Sequence, residues 1–155
     1  MKKILLAFVC LTFSLTSYAQ SNVSIETDIF GDIIGSTNGV RSKLEKNIFD
    51  DLIFSDNNKN KITYKKDFLN KVLRLSPNDK RFQKDLFITL SRFLRDKKNY
   101  QETHAVDIFD KVIISSNQGD KISMDLDMVS DQDRFFWTNK YNIANNQVDH
   151  PNRHH

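Results

Sequence analysis

The cationic side chains of the central segment are the clearest candidates for chemistry, and their chemistry would be the binding of anions. Residues 59–98 carry thirteen Lys and Arg against four Asp, whereas the rest of the chain after residue 19 carries eight Lys and Arg against sixteen Asp and Glu. Such asymmetry influences association and the choice of partner rather than the fold. Either the acidic flanks neutralise this segment within the chain, or the segment recognises an anionic partner.

Spacing on predicted helices gives these cations a usable geometry. Two pairs, Arg81/Lys84 and Arg92/Arg95, are three residues apart and would share one side of a helix. Lysines in a predicted first helical turn oppose the helix dipole and need an acidic neighbour or partner. Trp137, the single tryptophan, is either a core residue or an aromatic binding anchor. The residues assigned to a partner-binding face are Lys65, Lys66, Arg81, Lys84, Arg92, Arg95, Lys98 and Trp137.

Nucleophilic and acid–base catalysis lack their usual residues. The single cysteine is Cys10, inside the apolar N-terminal run, and no Gly-x-Ser-x-Gly motif is present. His104 with Asp107 could form a base and its orienting acid, and Asp50-Asp51 or Asp131/Asp133 could serve a hydrolase. Each of these arrangements is common on any solvated surface. No catalytic residue is therefore assigned.

A polar loop that occurs twice resembles an EF-hand in outline, with Ser55 and Ser115 at its first position. Calcium loops close with a bidentate acid at the twelfth position, where this chain has Lys66 and Leu126. The resemblance implies the shape without the ligands, so no metal and no cofactor is expected. The His-containing tail could hold a metal only adventitiously. Nucleic acid is not expected either, since no aromatic pattern accompanies the basic residues.

The elements that would position these residues include one stretch that the chain uses twice. Residues 48–69 and 108–129 align without a gap at an offset of sixty, and eight of the first fifteen pairs are identical. Self-similarity at a fixed period indicates a repeated supersecondary unit. Apolar residues at helical spacing, such as Val40, Leu44, Ile48 and Leu52, indicate that this unit is helical. The prediction is a duplicated helix–loop–helix.

The fold class predicted from these patterns is all-α, a small bundle of five or six helices. Ser76-Pro77 is a strong helix start signal, and the following helix should reach about Lys97. Two rules conflict at residues 122–128, where period-two alternation favours a short strand and the repeat favours a helix. The repeat is given more weight there. A helix is then expected to continue through Trp137 to about Tyr141.

The N-terminus has the pattern of a secretory signal peptide. Two lysines, a short apolar run and small residues before Gln20 match the three regions of such a leader, and the run is shorter than a membrane span. The predicted organisation is a signal peptide at 1–19, a single domain at 20–142 and a polar, flexible tail at 143–155. Export would place the protein in the periplasm or outside the cell, without a membrane span.

The function that these observations favour is an exported, non-enzymatic protein-binding module of the inhibitor, immunity or adaptor type. Its basic helical face would dock on an acidic partner protein. The alternatives are a degenerate EF-hand-like structural module of an envelope complex and a small hydrolase. The sequence does not indicate the partner or the oligomeric state.

Overall fold

The computed structural model describes residues 24–148, with side chains described through residue 142. Over this range the protein is a single eight-stranded sheet with three helices. The all-α bundle predicted from the sequence is therefore wrong. The predicted signal peptide and the last residues of the predicted tail lie outside the described residues.

The strands follow one another in the sheet in the order in which they occur in the chain. Their bounds are β1 Ser24–Thr27, β2 Ile33–Thr37, β3 Val40–Lys46, β4 Leu52–Asp56, β5 Lys61–Tyr64, β6 Gln101–Val106, β7 Lys111–Ser116 and β8 Lys121–Asp125. The helices are α1, a short π-type segment at Phe68–Leu73, α2 at Lys80–Leu94 and α3 at Asp131–Val148. A 3-10 turn, Leu126–Met128, separates β8 from α3.

Two antiparallel meanders make up the sheet and meet at one parallel pair. Strands β1 to β5 are antiparallel to their neighbours, as are β6 to β8. Strand β6 lies parallel to β5, with Tyr64 opposite His104. Parallel neighbours require a crossover connection, and the segment that contains α1 and α2 supplies it.

The helices cover one face of the sheet and form the core with it. The completely buried Phe87 of α2 packs on Phe54 of β4, with ring centroids 5.8 Å apart. Trp137 of α3 packs on Phe68 of α1 at 6.0 Å. The opposite face carries no helix among the described residues, and its central side chains are small, for example Ser55, Thr63 and Thr103. Antiparallel sheets commonly leave one face to solvent in this way.

The spacing of apolar residues explains why strands replace the predicted helices. Val40, Leu44, Ile48 and Leu52 recur every fourth residue, and a spacing of four satisfies both a helical period and the period of two of a strand. In the structure Leu44 and Leu52 are buried on β3 and β4, whereas Ile48 lies in the turn between them and is exposed. The pattern was therefore that of a β-hairpin interrupted by an apolar turn.

The repeated stretch is real, but its unit is a β-hairpin. Residues 52–64 form β4, a turn and β5, and residues 111–125 form β7, a turn and β8. Because both copies of the polar loop join strands, the predicted helix–loop–helix and the EF-hand outline are both wrong. At residues 122–128 the period-two alternation was the better indicator, because β8 covers Lys121–Asp125 and only the short 3-10 turn follows it.

Helix α2 confirms the helix predicted after Pro77, although it begins later than expected. Its N-cap is Asp79, whose carboxylate accepts the amide hydrogens of Arg81 and Phe82, rather than Ser76. Capping of this kind satisfies donors that the first turn leaves unpaired. The buried face of α2 includes Leu86 and Leu90, two members of the predicted apolar stripe.

Five connections between strands share one turn geometry. In each, the side chain of the first residue accepts the amide hydrogen of the third, and the carbonyl of the first accepts that of the fourth. The fourth residue has a positive φ between 55° and 96°. A three-residue loop of this type suits antiparallel hairpins. These turns are Asp28–Asp32, Asn47–Asp51, Asp56–Asn60, Asp107–Lys111 and Ser116–Asp120.

Asn60 links the crossover to the sheet. Its side-chain nitrogen donates to the carbonyl oxygens of Lys97 at 2.9 Å and Leu94 at 3.3 Å, and to the Asp56 carboxylate at 2.8 Å. Its side-chain oxygen accepts the amide hydrogen of Tyr100 at 2.9 Å. One buried amide thus fixes the end of α2 and the start of β6 against the turn after β4.

We expect Lys59→Gly to stabilise the protein, because Lys59 holds a left-handed φ of 64° that glycine adopts without steric cost. The gain in free energy of unfolding should be a few tenths to ~1 kcal/mol, measured by urea denaturation. Gly119→Lys, at the same position of the turn after β7, is the matched control and should lose a similar amount. Lower stability of Lys59→Gly would contradict the assigned turn geometry.

We expect Asn60→Ala to lower the free energy of unfolding by ~2 kcal/mol, since the Tyr100 amide hydrogen loses its acceptor and the Lys97 carbonyl oxygen loses its donor, whereas the Leu94 carbonyl oxygen keeps the amide of Lys97. Asn58→Ala changes a neighbouring residue of the same turn whose side chain makes no hydrogen bond among the described residues, and it should cost less than ~0.5 kcal/mol. Equal losses of stability for the two variants in urea denaturation would show that the side-chain hydrogen bonds of Asn60 do not stabilise the crossover.

Candidate functional site

A buried carboxylate lies between the sheet and α3 and gathers the densest polar cluster described. Glu102 Oε1 accepts hydrogen bonds from Lys140 Nζ at 2.7 Å and from the Tyr141 hydroxyl at 2.6 Å. His104 Nε2 lies 2.5 Å from the same oxygen, and the Tyr100 hydroxyl donates to Oε2. Strand β6 supplies Glu102 and His104 on its helix-covered face, because residues two apart on a strand share one face.

Burial and hydrogen bonding set the protonation of this cluster. Burial acts to raise the pKa of Glu102, but hydrogen bonds from His104, Lys140 and Tyr100 outweigh it and hold the pKa well below its usual range. Burial lowers the pKa of His104, and its pairing with Glu102 does not offset this. Burial also raises the pKa of Tyr141, so its hydroxyl stays protonated and donates.

Geometry indicates the same neutral state for the histidine. His104 Nδ1 is buried and has no hydrogen-bond partner, so a proton there would be a buried donor without an acceptor. The favourable tautomer carries its proton on Nε2, which faces Glu102. The ring also stacks on Tyr64, with centroids 4.4 Å apart. His104 is completely buried, and its Nε2 lies 3.1 Å from the Tyr141 hydroxyl, so the ring links β6 to α3.

The other predicted acid–base pairs do not form catalytic sites in the structure. Asp107 caps its own turn through Phe109 and Lys111 and does not orient His104. Asp50 and Asp51 both lie in ion pairs, with Lys66 and Lys65 respectively, at 2.9 Å. Asp133 accepts hydrogen bonds from Ser130 at the start of α3, an ordinary helix cap.

The basic segment is partly neutralised by the chain itself. Lys65 and Lys66 bond to Asp51 and Asp50, so two members of the predicted partner-binding face are already paired. Both lysines follow β5 directly, and Lys66 begins the helical turn that leads into α1, so the carboxylates of Asp50 and Asp51 offset cations at the start of that segment. Three more cations of the segment lie in ion pairs, Lys71 with Asp110, Arg74 with Asp131 and Arg95 with Asp96.

Three predicted binding residues remain together on one helix. Arg81, Lys84 and Arg92 are exposed on α2, on the side away from the sheet, and none forms an ion pair among the described residues. Lys98 is exposed just after the same helix. Trp137 is different, because it is buried against Phe68 and is a core residue, not an exposed anchor.

Exposed apolar side chains form a feature that the sequence interpretation missed. Three of the five turns carry an Ile-Phe pair at their second and third positions, Ile29-Phe30, Ile48-Phe49 and Ile108-Phe109. All six side chains are between 68% and 93% exposed. The second and third pairs lie in the repeated stretch, where the predicted helices would have placed them on buried faces. The signal that identifies them is the preceding Asp or Asn, which caps such a turn.

A cavity of about 510 Å³ lies on the uncovered face of the sheet, over β1 to β4. Its lining is mixed in charge, with Arg41 and Lys43 beside Glu26 and Asp56. Lys43 is already bonded to Asp32 and Glu45 at 2.9 Å. The cavity therefore offers no cluster of one charge for a small anionic ligand.

Within residues 24–148, no group of three or more His, Cys, Asp or Glu side chains has the arrangement of a metal site. None of the helices in that range is long and apolar enough to cross a membrane. Comparison of the chain with protein-family models, with curated proteins and with solved structures finds no match.

We expect stability to fall as the pH is lowered from 7.5 to 5. The pKa of His104 is held below its ordinary value of 6.5, so the unfolded chain binds a proton in this window that the folded chain does not. The pKa of Glu102 is held below its ordinary value of 4.5, which adds a further loss below pH 4.5. In both cases the stabilisation is present at higher pH and lost as the pH falls.

The measurement is the free energy of unfolding in urea at several pH values for wild type and His104→Gln. The variant keeps a donor for Glu102 but does not titrate, so its loss of stability between pH 6.5 and 5 should be smaller by up to ~1.4 kcal/mol per pH unit. Parallel curves for the two proteins would show that His104 takes up its proton equally in the folded state.

Proposed function

We propose that this protein is a non-enzymatic binding module of the inhibitor, immunity or adaptor type. The surface that docks is the outer face of α2, defined by Arg81, Lys84 and Arg92, and its partner is an acidic surface of another protein. The single observation that carries this proposal is that these three cations stay exposed and without an ion pair among the described residues, while five others of the basic segment are paired within the chain.

The position of these cations on α2 strengthens the argument. The first turn of the helix contains no acidic residue, and Arg81 lies there at the positive end of the helix dipole. Only the N-cap, Asp79, offsets that arrangement. Asp85 is the one acid exposed between Arg81 and Arg92 on the same helix. A carboxylate-bearing partner would remove the repulsion that the free protein carries.

A binding role is also supported by where the remaining polar chemistry lies. The carboxylate of Glu102 is buried and receives its hydrogen bonds from within the chain, and Asp51 is buried and bonded to Lys65. The outer face of α2 thus carries three exposed cations that lie apart from this buried chemistry. Exposed charge of one sign favours association with a partner surface of the opposite sign and accelerates the encounter.

We expect charge reversal at Arg81→Glu, Lys84→Glu and Arg92→Glu to abolish a salt-sensitive complex. The chain without the predicted signal peptide, which we call the mature chain, would be immobilised. An envelope extract of the source cells would be passed over it at about 50 mM and about 500 mM salt. Acidic proteins retained only at low salt should be lost in the triple variant.

The matched control reverses three exposed cations elsewhere, Arg41→Glu, Lys61→Glu and Lys121→Glu, which lie on strands β3, β5 and β8. This control changes the net charge equally but leaves α2 intact, so it should retain the same proteins as wild type. If the α2 variant captures an unchanged set with unchanged yield, the proposed docking face is wrong. Circular dichroism of all three proteins checks that each is folded.

A further inference from the structure

The three Ile-Phe turns lie at the same edge of the sheet. Strands β1, β3 and β6 run in one direction, because β5 and β6 are parallel and every other neighbouring pair is antiparallel. The turns that follow these three strands therefore emerge at one edge, which we call the Ile-Phe edge. At ~4.8 Å per strand, the first two turns are ~10 Å apart and the third is ~14 Å further along.

The turns at the opposite edge show that the backbone does not require these apolar pairs. Asp56–Asn60 and Ser116–Asp120 have the same hydrogen bonds and the same positive φ at their fourth residue. Their second and third residues are polar, Asn57-Asn58 and Asn117-Gln118. One turn geometry thus carries polar residues at one edge and exposed Ile-Phe at the other. The difference belongs to the surface and not to the fold.

We propose that the Ile-Phe edge seats on the surface of a zwitterionic lipid bilayer, with the six side chains inserted at the level of the headgroups. Exposed Ile and Phe gain free energy when they leave water for the boundary of the acyl chains. The inference is independent of the proposed function, because it concerns a different surface from the outer face of α2. A binding module with both surfaces would bring an acidic protein to a membrane.

The hydrogen bonding of the turns suits insertion. In each turn the amide of the Phe donates to the side chain of the preceding Asp or Asn, at 2.8–2.9 Å, and the amide of the next residue donates to a backbone carbonyl. Two of the three loop amides in each turn, those of the Phe and of the residue after it, therefore need no water when the tip leaves it. The turn is already ordered by these bonds, so insertion does not require the backbone to lose further freedom.

The shape of the edge favours a fluid surface. The three pairs project separately, and the strands and turns between them carry charged groups. A folded partner protein would need three pockets of matching depth and spacing, whereas a bilayer accepts the same pair at each position. The 3-10 turn adds an exposed methionine, Met128, beside the third pair, since the Leu126 amide bonds to the Asp110 carbonyl.

The charges behind the tips complement headgroups of mixed sign. Each turn combines ammonium and carboxylate groups. Lys46 and Lys66 flank Asp50 at the second turn, and Lys71 bonds to Asp110 at the third. A headgroup layer with phosphate and ammonium groups offers partners for both signs. Because these lysines are already paired with carboxylates, the binding of the edge should depend little on salt, unlike that of the outer face of α2.

The test is cosedimentation of the mature protein with vesicles of phosphatidylethanolamine and phosphatidylcholine, without other protein. The variant replaces all three Ile-Phe pairs with Asn-Asn, the pair that the turn after β4 carries naturally. We expect wild type to bind, and the variant to lose at least about tenfold in partition coefficient, with little effect of salt. The control, Asn57→Ser with Asn58→Ser at the opposite edge, should bind as wild type does.

Other occupants of the edge give other results. No sedimentation of folded wild type would overturn the proposal. A dimer of wild type without lipid, seen by light scattering and absent in the Asn-Asn variant, would also overturn it, because a second copy of the chain would then cover the edge. Binding only to vesicles rich in anionic lipid, and only at low salt, would equally overturn it. The triple α2 variant should bind vesicles normally, so the two proposals fail separately.

Discussion

The ionised carboxylate of Glu102 is the constraint on which most of this structure depends. Taking a charge out of water costs several kcal/mol unless donors replace the lost hydration. Here the donors come from different parts of the fold, His104 on β6, Tyr100 just before it, and Lys140 and Tyr141 on α3. The carboxylate receives all these hydrogen bonds only when α3 is packed on β6, so one residue fixes the position of the last helix on the sheet.

The two surfaces proposed to bind partners lie apart from that buried chemistry. The interior holds groups that often occur in catalytic sites, a histidine, a carboxylate and two tyrosines. Here their hydrogen bonds connect β6 to α3. The outside holds two unlike surfaces, cations on α2 and apolar pairs on the turns. Helix α2 begins next to the first of those turns, where Lys80 Nζ lies 3.4 Å from the Gly31 carbonyl oxygen. The two surfaces therefore adjoin but belong to different layers of the protein.

Local signals were sufficient for some elements and insufficient for others. Helix α2 could be predicted because Pro77 limits where it begins and its apolar stripe is long. Strands β3 and β4 could not, because Val40, Leu44, Ile48 and Leu52 fit both periods and only the turn cap at Asn47 distinguishes them. The Glu102 cluster joins residues up to thirty-nine positions apart and has no local pattern. The Ile-Phe turns had a signal in the sequence, the capping Asp or Asn before each pair. A helical interpretation instead assigns the Ile and Phe of the pair to a buried helix face.

The single parallel pair has a consequence for how the chain reaches this state. Within each meander, partner residues are close in sequence, so hairpins can form with little loss of chain entropy. Tyr64 and His104, in contrast, meet across a crossover of forty residues, and long loops are slower to close. Each half of the sheet should therefore acquire its strands early. The joining of β5 to β6, stabilised by Asn60 and by the stacking of Tyr64 on His104, should limit the folding rate.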